Sequence, residues 1–253
     1  MKGIDVSIFQ GHIDFKKVKA SGIEVVIIKA TQGTGYTNAM LKEHYKGARE
    51  NGLKIGFYHY LTKDNPTTQA KQFLNVIGGL IADCKYVIDV EGEWTIDKAS
   101  KATREFSNYL ISKGKEVAIY TGDYFYRDNL NNTVKDLPLW VANYGGSVMA
   151  KKYAGHQYSE KGYVNGIIGN GDLDTFNDGI LLTPKVIAKV VATPKTGTVI
   201  ASTLNIREGA GTGSKIIGQL KKGDKVKIAK KVGSWYSIYH GDHGGYVSAE
   251  FIK

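Results

Sequence analysis

The first 180 residues alternate short apolar runs with longer amphipathic ones. Six runs, GIDVSIF, EVVIIKAT, KIGFYHYL, KYVIDVE, EVAIYTG and LPLWVANY, read as strands because β-branched and aromatic residues dominate them. The segments between them predict helices over 14–21, 38–51, 66–79, 96–112 and 123–130. Asp14 and the Asn65-Pro66 step are helix-start signals, and the glycines of ENGLKIG and SKGKEVA stand where a helix should end. Strand–helix alternation predicts a mostly parallel sheet covered by helices. The count predicts an α/β fold, an irregular, TIM-like β/α barrel. Past Asn143 the pattern breaks into Gly-rich, hairpin-like segments, so the late helices should be short or missing. A doubly wound sheet is the alternative, but no GxGxxG follows the first strand.

Residues 183–194 lie between 1–182 and a β-rich tail and carry Pro184 and Pro194, which reads as a linker. Residues 195–253 have short β-rich runs and turns at 208–213, 222–224 and 242–245, the signature of a small all-β barrel. GAGTGSK lacks phosphate-loop spacing and precedes a strand, so it is no nucleotide site.

Charge sharpens this division. The 253-residue chain has a net charge of +10. Residues 1–182 hold 22 Lys/Arg against 20 Asp/Glu, whereas 193–253 hold 10 against 4. A basic tail favours polyanionic partners such as nucleic acid, anionic membrane or acidic wall polymers, or simply confers solubility. No stretch approaches the roughly 20 apolar residues of a membrane anchor. The N-terminal MKGIDVSIFQG does not read as a signal peptide. Cys84 is the only cysteine, which excludes an internal disulfide and a cysteine-rich zinc site and leaves a buried structural thiol.

The candidate chemistry sits at strand tips. In KYVIDVEGEW, Asp89 and Glu91 stand at i and i+2, on one face of a strand, just ahead of Trp94. Asp5 and, in GDLDTF, Asp172 fall at comparable ends. Converging acids cannot all ionise freely, so one should hold its proton near neutrality while another stays charged. Cleavage of a glycosidic bond needs that division of labour. Tyr58, Tyr60, Tyr120, Trp140 and Tyr144 offer planes for the apolar faces of sugars. Tyr58 can also reach a carboxylate or an acetamide. His59 is out of phase with them and should face the helix layer. A four-acid metal site is the alternative, but no histidine pair accompanies it, so no metal and no cofactor are expected.

These segments, with GIDVSIFQGHIDFKKVKASGIEVVIIKATQG, GFYHY, IYTG and LWVANY in chain order at compatible spacing, resemble the family 25 glycoside hydrolases, muramidases of phages and bacteria, over about residues 3–180. The resemblance implies an irregular β/α barrel, Glu91 as acid/base, Asp89 as its partner, Asp5 and Asp172 as supporting acids, and Tyr58 as the motif tyrosine. Asp172 fits that motif better than neighbouring Asp174. Gln32 departs from the pattern, since many members carry Glu in KATEG. LNIREGAGTGSKIIGQLKKGDKV, WYSI and GGYVSAEFI resemble a bacterial SH3-like module, which implies anchoring to peptidoglycan. The two together imply cleavage of the β-1,4 bond between N-acetylmuramic acid and N-acetylglucosamine. An endolysin held in the host cytoplasm until a holin releases it is expected. A bacterial autolysin or bacteriocin-type lysozyme would share the design. A non-catalytic wall lectin is disfavoured by the intact acid pair, and a nucleic-acid binder would need basic residues interleaved with stacking aromatics on one face, whereas the basic tail's WYSIY reads equally as a core strand.

Overall fold

The computed structural model describes residues 1–183, 195–241 and 244–253. Its contacts divide the chain into two units, Met1–Thr183 and Pro184–Lys253. The proposed linker, apart from Thr183, and two residues of the 242–245 turn lie outside the described residues.

In the first unit the order is β1 (Lys2–Val6), α1 (Phe15–Ala20), β2 (Val25–Gln32), β3 (Tyr36–Thr37), α2 (Leu41–Glu50), β4 (Lys54–Tyr60) and α3 (Pro66–Val76). It continues through β5 (Tyr86–Asp89), α4 (Ile96–Ser112), β6 (Val117–Gly122), α5 (Asp123–Asp128), β7 (Leu139–Ala142), β8 (Gly155–Gly162) and β9 (Gly171–Phe176). The sheet runs β1-β9-β8-β7-β6-β5-β4-β2, and pairing of β1 with β2 closes it into an eight-stranded barrel. Strand β3 is a short antiparallel appendage on β2. Neighbours from β1 through β8 pair in parallel, while β9 runs antiparallel to both β8 and β1. No described helix separates β7 from β8 or β8 from β9, as the broken pattern predicts.

Strand alternation sorts the core into two layers. Ile4, Val26, Ile28, Ile55, Phe57, Ile88 and Ile119 point outward and bury against the helices with Phe73, Phe106 and Leu110. Val25, Ile27, Val87, Ala118, Trp140 and Phe176 fill the barrel's inside. Phe176 needs room there: a Cβ on Gly3 or Gly155 would come within 2.4 or 2.6 Å of its ring. Cys84 is a free, buried thiol in this inner layer, and burial pushes its pKa up to about 12.

Helix ends follow local chemistry. Asp14 caps α1 by accepting from Lys17 N at 3.1 Å, and Asn65 caps α3 with Pro66 in the first turn. His59 turns toward the helices, fully buried beside Phe73 and Phe106.

The second unit holds β10 (Lys195–Thr198), β11 (Thr203–Arg207), β12 (Ile216–Lys221), β13 (Lys225–Val232), β14 (Trp235–Ile238) and β15 (Gly245–Ser248). They form one antiparallel sheet in the order β10-β13-β14-β15-β11-β12. Its own small core contains Val199, Leu204, Ile206, Val226, Ile238 and Val247. In β14, Ile238 is buried, whereas Trp235 and Tyr236 are half-buried and line a cavity of about 850 Å³ with Arg207 and Lys231.

Candidate active site

The inward-facing phase of each strand leads from the apolar inner layer to polar residues at the barrel's upper end. On β2, Val25 and Ile27 are followed by Lys29; on β5, Val87 is followed by Asp89, and Glu91 comes just after. On β4, Gly56 is followed by Tyr58 and Tyr60. A cleft of about 390 Å³ gathers Asp5, Asp89, Glu91 and Asp172 with Tyr58, Tyr60, Tyr120, Trp140 and Tyr144. These four acids and five aromatic residues, all singled out from the sequence, therefore share one cavity. Lys29, Gln157, Glu160 and Phe9 complete its lining.

Pairing explains why acids distant in sequence meet. Asp5 on β1 is directly opposite Asp172 on β9, and Gly3 is opposite Asp174. Gln157 donates from Nε2 to Asp5 Oδ2 at 2.6 Å. Its Oε1 accepts from the hydroxyls of Tyr120 and Tyr144, each at 2.7 Å. This amide thus locks one acid and two aromatic rings in place.

Burial raises the pKa of Asp5, and the Asp172 carboxylate opposite adds to the rise. Asp172 is pushed up to about 6, first by burial and then by Glu160. Asp89 is raised by burial and by Glu91, against the pull of Lys29. Glu91 is raised by burial, again with Lys29 pulling the other way. Asp89 Oδ1 is buried and has no hydrogen-bond partner among the described residues. A buried oxygen without a partner costs about 1–3 kcal/mol, and Asp174 Oδ2 and Thr121 Oγ1 share that state among the described residues.

The aromatic residues divide by exposure. Tyr58 and Tyr60 are half-buried, and Tyr144 is half exposed. Trp140 is only 2% exposed: its Nε1 donates to Asp174 Oδ1 at 2.9 Å and its ring packs on Tyr120 and Phe176. It therefore supports the cleft floor and offers little surface to a sugar. Trp94, expected beside the acids, is absent from the cleft lining. Its indole donates to the Glu91 carbonyl at 3.0 Å and borders a separate cavity with Lys63, Glu93 and Lys98.

Sequence reasoning missed Lys29, Gln157, Glu160 and Phe9. Lys29 carried a readable signal, a lone cation in phase with Val25 and Ile27 within an apolar strand. Gln157 lies on β8, in the region where the strand–helix alternation fails, so nothing local announced it.

The family model for glycosyl hydrolases family 25 matches residues 4–167, and the model for a bacterial SH3 domain matches 202–253. The chain is 54% identical over 192 residues to an autolytic lysozyme of Clostridium acetobutylicum, covering 74% of this chain and 59% of that protein. It therefore spans less than two thirds of that relative. The bacterial lysozyme of Streptomyces coelicolor superposes with a TM-score of 0.64 at 29% identity, over 70% of this chain and 92% of that one. The CTP1L endolysin gives a TM-score of 0.64 at 32% identity, over 70% and 66% of the two chains. A match over most of the chain, on a barrel whose strand tips gather the motif acids, shows that the protein belongs to glycosyl hydrolases family 25.

Proposed function

We propose that the protein is an N-acetylmuramidase that cleaves the β-1,4 bond between N-acetylmuramic acid and N-acetylglucosamine in bacterial peptidoglycan. The observation that carries this reading is the single cleft in which Asp89 and the raised carboxyl of Glu91 stand together with Asp5 and Asp172. Glu91, whose carboxyl is raised by burial, donates its proton to the glycosidic oxygen as the bond breaks and then takes one from the incoming water. Asp89, in its ionised form, faces the positive charge developing at the anomeric carbon. It either attacks that carbon or stabilises an oxazolinium formed by the substrate's acetamide. Asp5 and Asp172 position the acetamide or water, and Glu91 in turn adds to the rise of Asp5. Tyr58 and Tyr60 bind the sugar, with Tyr120 and Trp140 beneath them.

The similarity to proteins described as lysozymes supports this substrate. The bacterial SH3 match supports wall binding by the second unit, with its positive charge available to acidic wall polymers. For biological role we favour an endolysin that stays in the host cytoplasm until a holin opens the membrane, supported by the likeness to CTP1L. The autolytic relative favours a bacterial autolysin as the second reading. Release of reducing ends from purified walls tests the activity: it should be rapid for the native chain and lost in a folded Glu91→Gln variant. Comparable release by both proteins would remove Glu91 from the acid/base role.

A further inference from the structure

Lys29 is the only basic residue lining the cleft among the described residues, where five carboxyls also stand. It is half-buried inside a barrel strand, and burial alone pulls its pKa down. A lysine in such a place is costly unless its charge has work to do. On its own strand, Gln32 Oε1 accepts a hydrogen bond from Lys29 Nζ at 2.8 Å. From β3 the ring of Tyr36 stands 5.7 Å away, and from β4 those of Tyr58 and Tyr60 stand at 5.8 and 5.0 Å. From β5 and its tip, Asp89 and Glu91 act on it as negative charges. His59, on the outward face of β4, is held neutral by burial, and Lys29 adds to that effect. Asp5, Glu160 and Asp172 line the same cleft.

We propose that the Lys29–Gln32 pair sets the pH window of the reaction: Lys29 is the counter-charge shared by Asp89 and Glu91, and Gln32 holds it without cancelling it. This rests on the muramidase reading. Lys29 is a positioning residue, acting through the two carboxyls. The departure of Gln32 from the family's KATEG pattern gains a meaning here. A carboxylate at position 32 would bond the same ammonium and shield the acid pair from it. Both carboxyls would then hold their protons to higher pH, and the active window would move upward. With the neutral amide, this chain keeps Asp89 ionised further into the acid range.

The test is a side-chain carboxyl ¹³C NMR titration of the full chain, run beside pH profiles of reducing-end release. Lys29→Met keeps most of the side-chain length and removes the charge. It should raise the Glu91 midpoint by about one unit, the lower end of the effect of a nearby opposite charge. Both limbs of the kcat/KM profile should move up with it, leaving about tenfold lower activity on the acid side. Gln32→Glu should shift midpoint and limbs in the same direction by a smaller amount, while Lys29→Arg leaves both near their native positions. Midpoints that stay in place in folded Lys29→Met and Gln32→Glu proteins would overturn the proposal. Should Lys29→Met fail to fold, Gln32→Glu decides alone. A native chain that releases no reducing ends at any pH would reject the muramidase reading, and the titration would still judge Lys29.

Discussion

Asp89 and Glu91 are two residues apart, yet their surroundings assign them different work. Asp89 is 5% exposed, with one oxygen unpaired among the described residues, whereas Glu91 lies on the loop beyond the strand end, where Trp94 holds its carbonyl. Asp89→Asn should lower kcat by about 10²–10³-fold, the scale of losing one preorganised electrostatic partner of the transition state. Steady-state kinetics on soluble wall fragments checks this, and native-like kcat would leave Asp89 without a chemical role. His59 offers a prediction about stability. Gln69 Oε1 also accepts from Thr62 N, so it is the His59 Nε2 proton that bonds Gln69, at 3.0 Å, and Nδ1 accepts from Thr31 Oγ1 at 2.7 Å. Burial lowers the His59 pKa from 6.5 to about 4. The unfolded chain takes up this proton first as pH falls. Stability from His59 is therefore complete above pH 6.5 and declines toward about 4, by roughly 3 kcal/mol at most. His59→Phe should flatten that part of a plot of Tm against pH, even if its Tm is lower throughout. An unchanged slope would mean that other groups govern acid unfolding.

At the scale of elements, legibility tracked regularity. Strands β1, β2 and β4–β7 were readable because β-branched runs alternate with capped amphipathic helices. Strand phase puts Asp89 and Glu91 on one face and turns His59 away from Tyr58 and Tyr60. The antiparallel β9, which closes the barrel and sets Asp172 opposite Asp5, could not be read from local pattern, since register depends on partners far along the chain. Trp94 misled for a related reason: it lies past the end of β5, where strand phase no longer sets direction. The closing strands also depend on shape. A Cβ at Gly155 would meet Phe176 at 2.6 Å and Trp140 at 2.8 Å. Gly155→Val should destabilise the first unit by about 1–3 kcal/mol through overpacking, lowering its Tm in calorimetry. An unaffected Tm would show that the inner layer has slack there.

At the scale of the whole molecule, each unit has its own core, so 1–183 should fold and hydrolyse soluble wall fragments without the second unit. Lysis of intact cells by that fragment should fall, because tethering raises the local concentration of the barrel at the wall. Equal lysis by fragment and full chain would deny the anchoring role. Residues 195–253 alone should bind purified walls. Part of that binding should fade with salt, as the Debye length shrinks from about 10 Å at 0.1 M to about 3 Å at 1 M. Salt-insensitive binding would transfer the recognition to the cavity lined by Trp235, Tyr236, Arg207 and Lys231. The central claim concerns the bond that the acid pair cuts. Mass spectrometry of fragments released from purified peptidoglycan by the full chain, after borohydride reduction, reads that bond directly. The account predicts fragments whose reduced ends are all N-acetylmuramic acid. Reduced N-acetylglucosamine ends, or intact glycan strands with severed peptides, would contradict it.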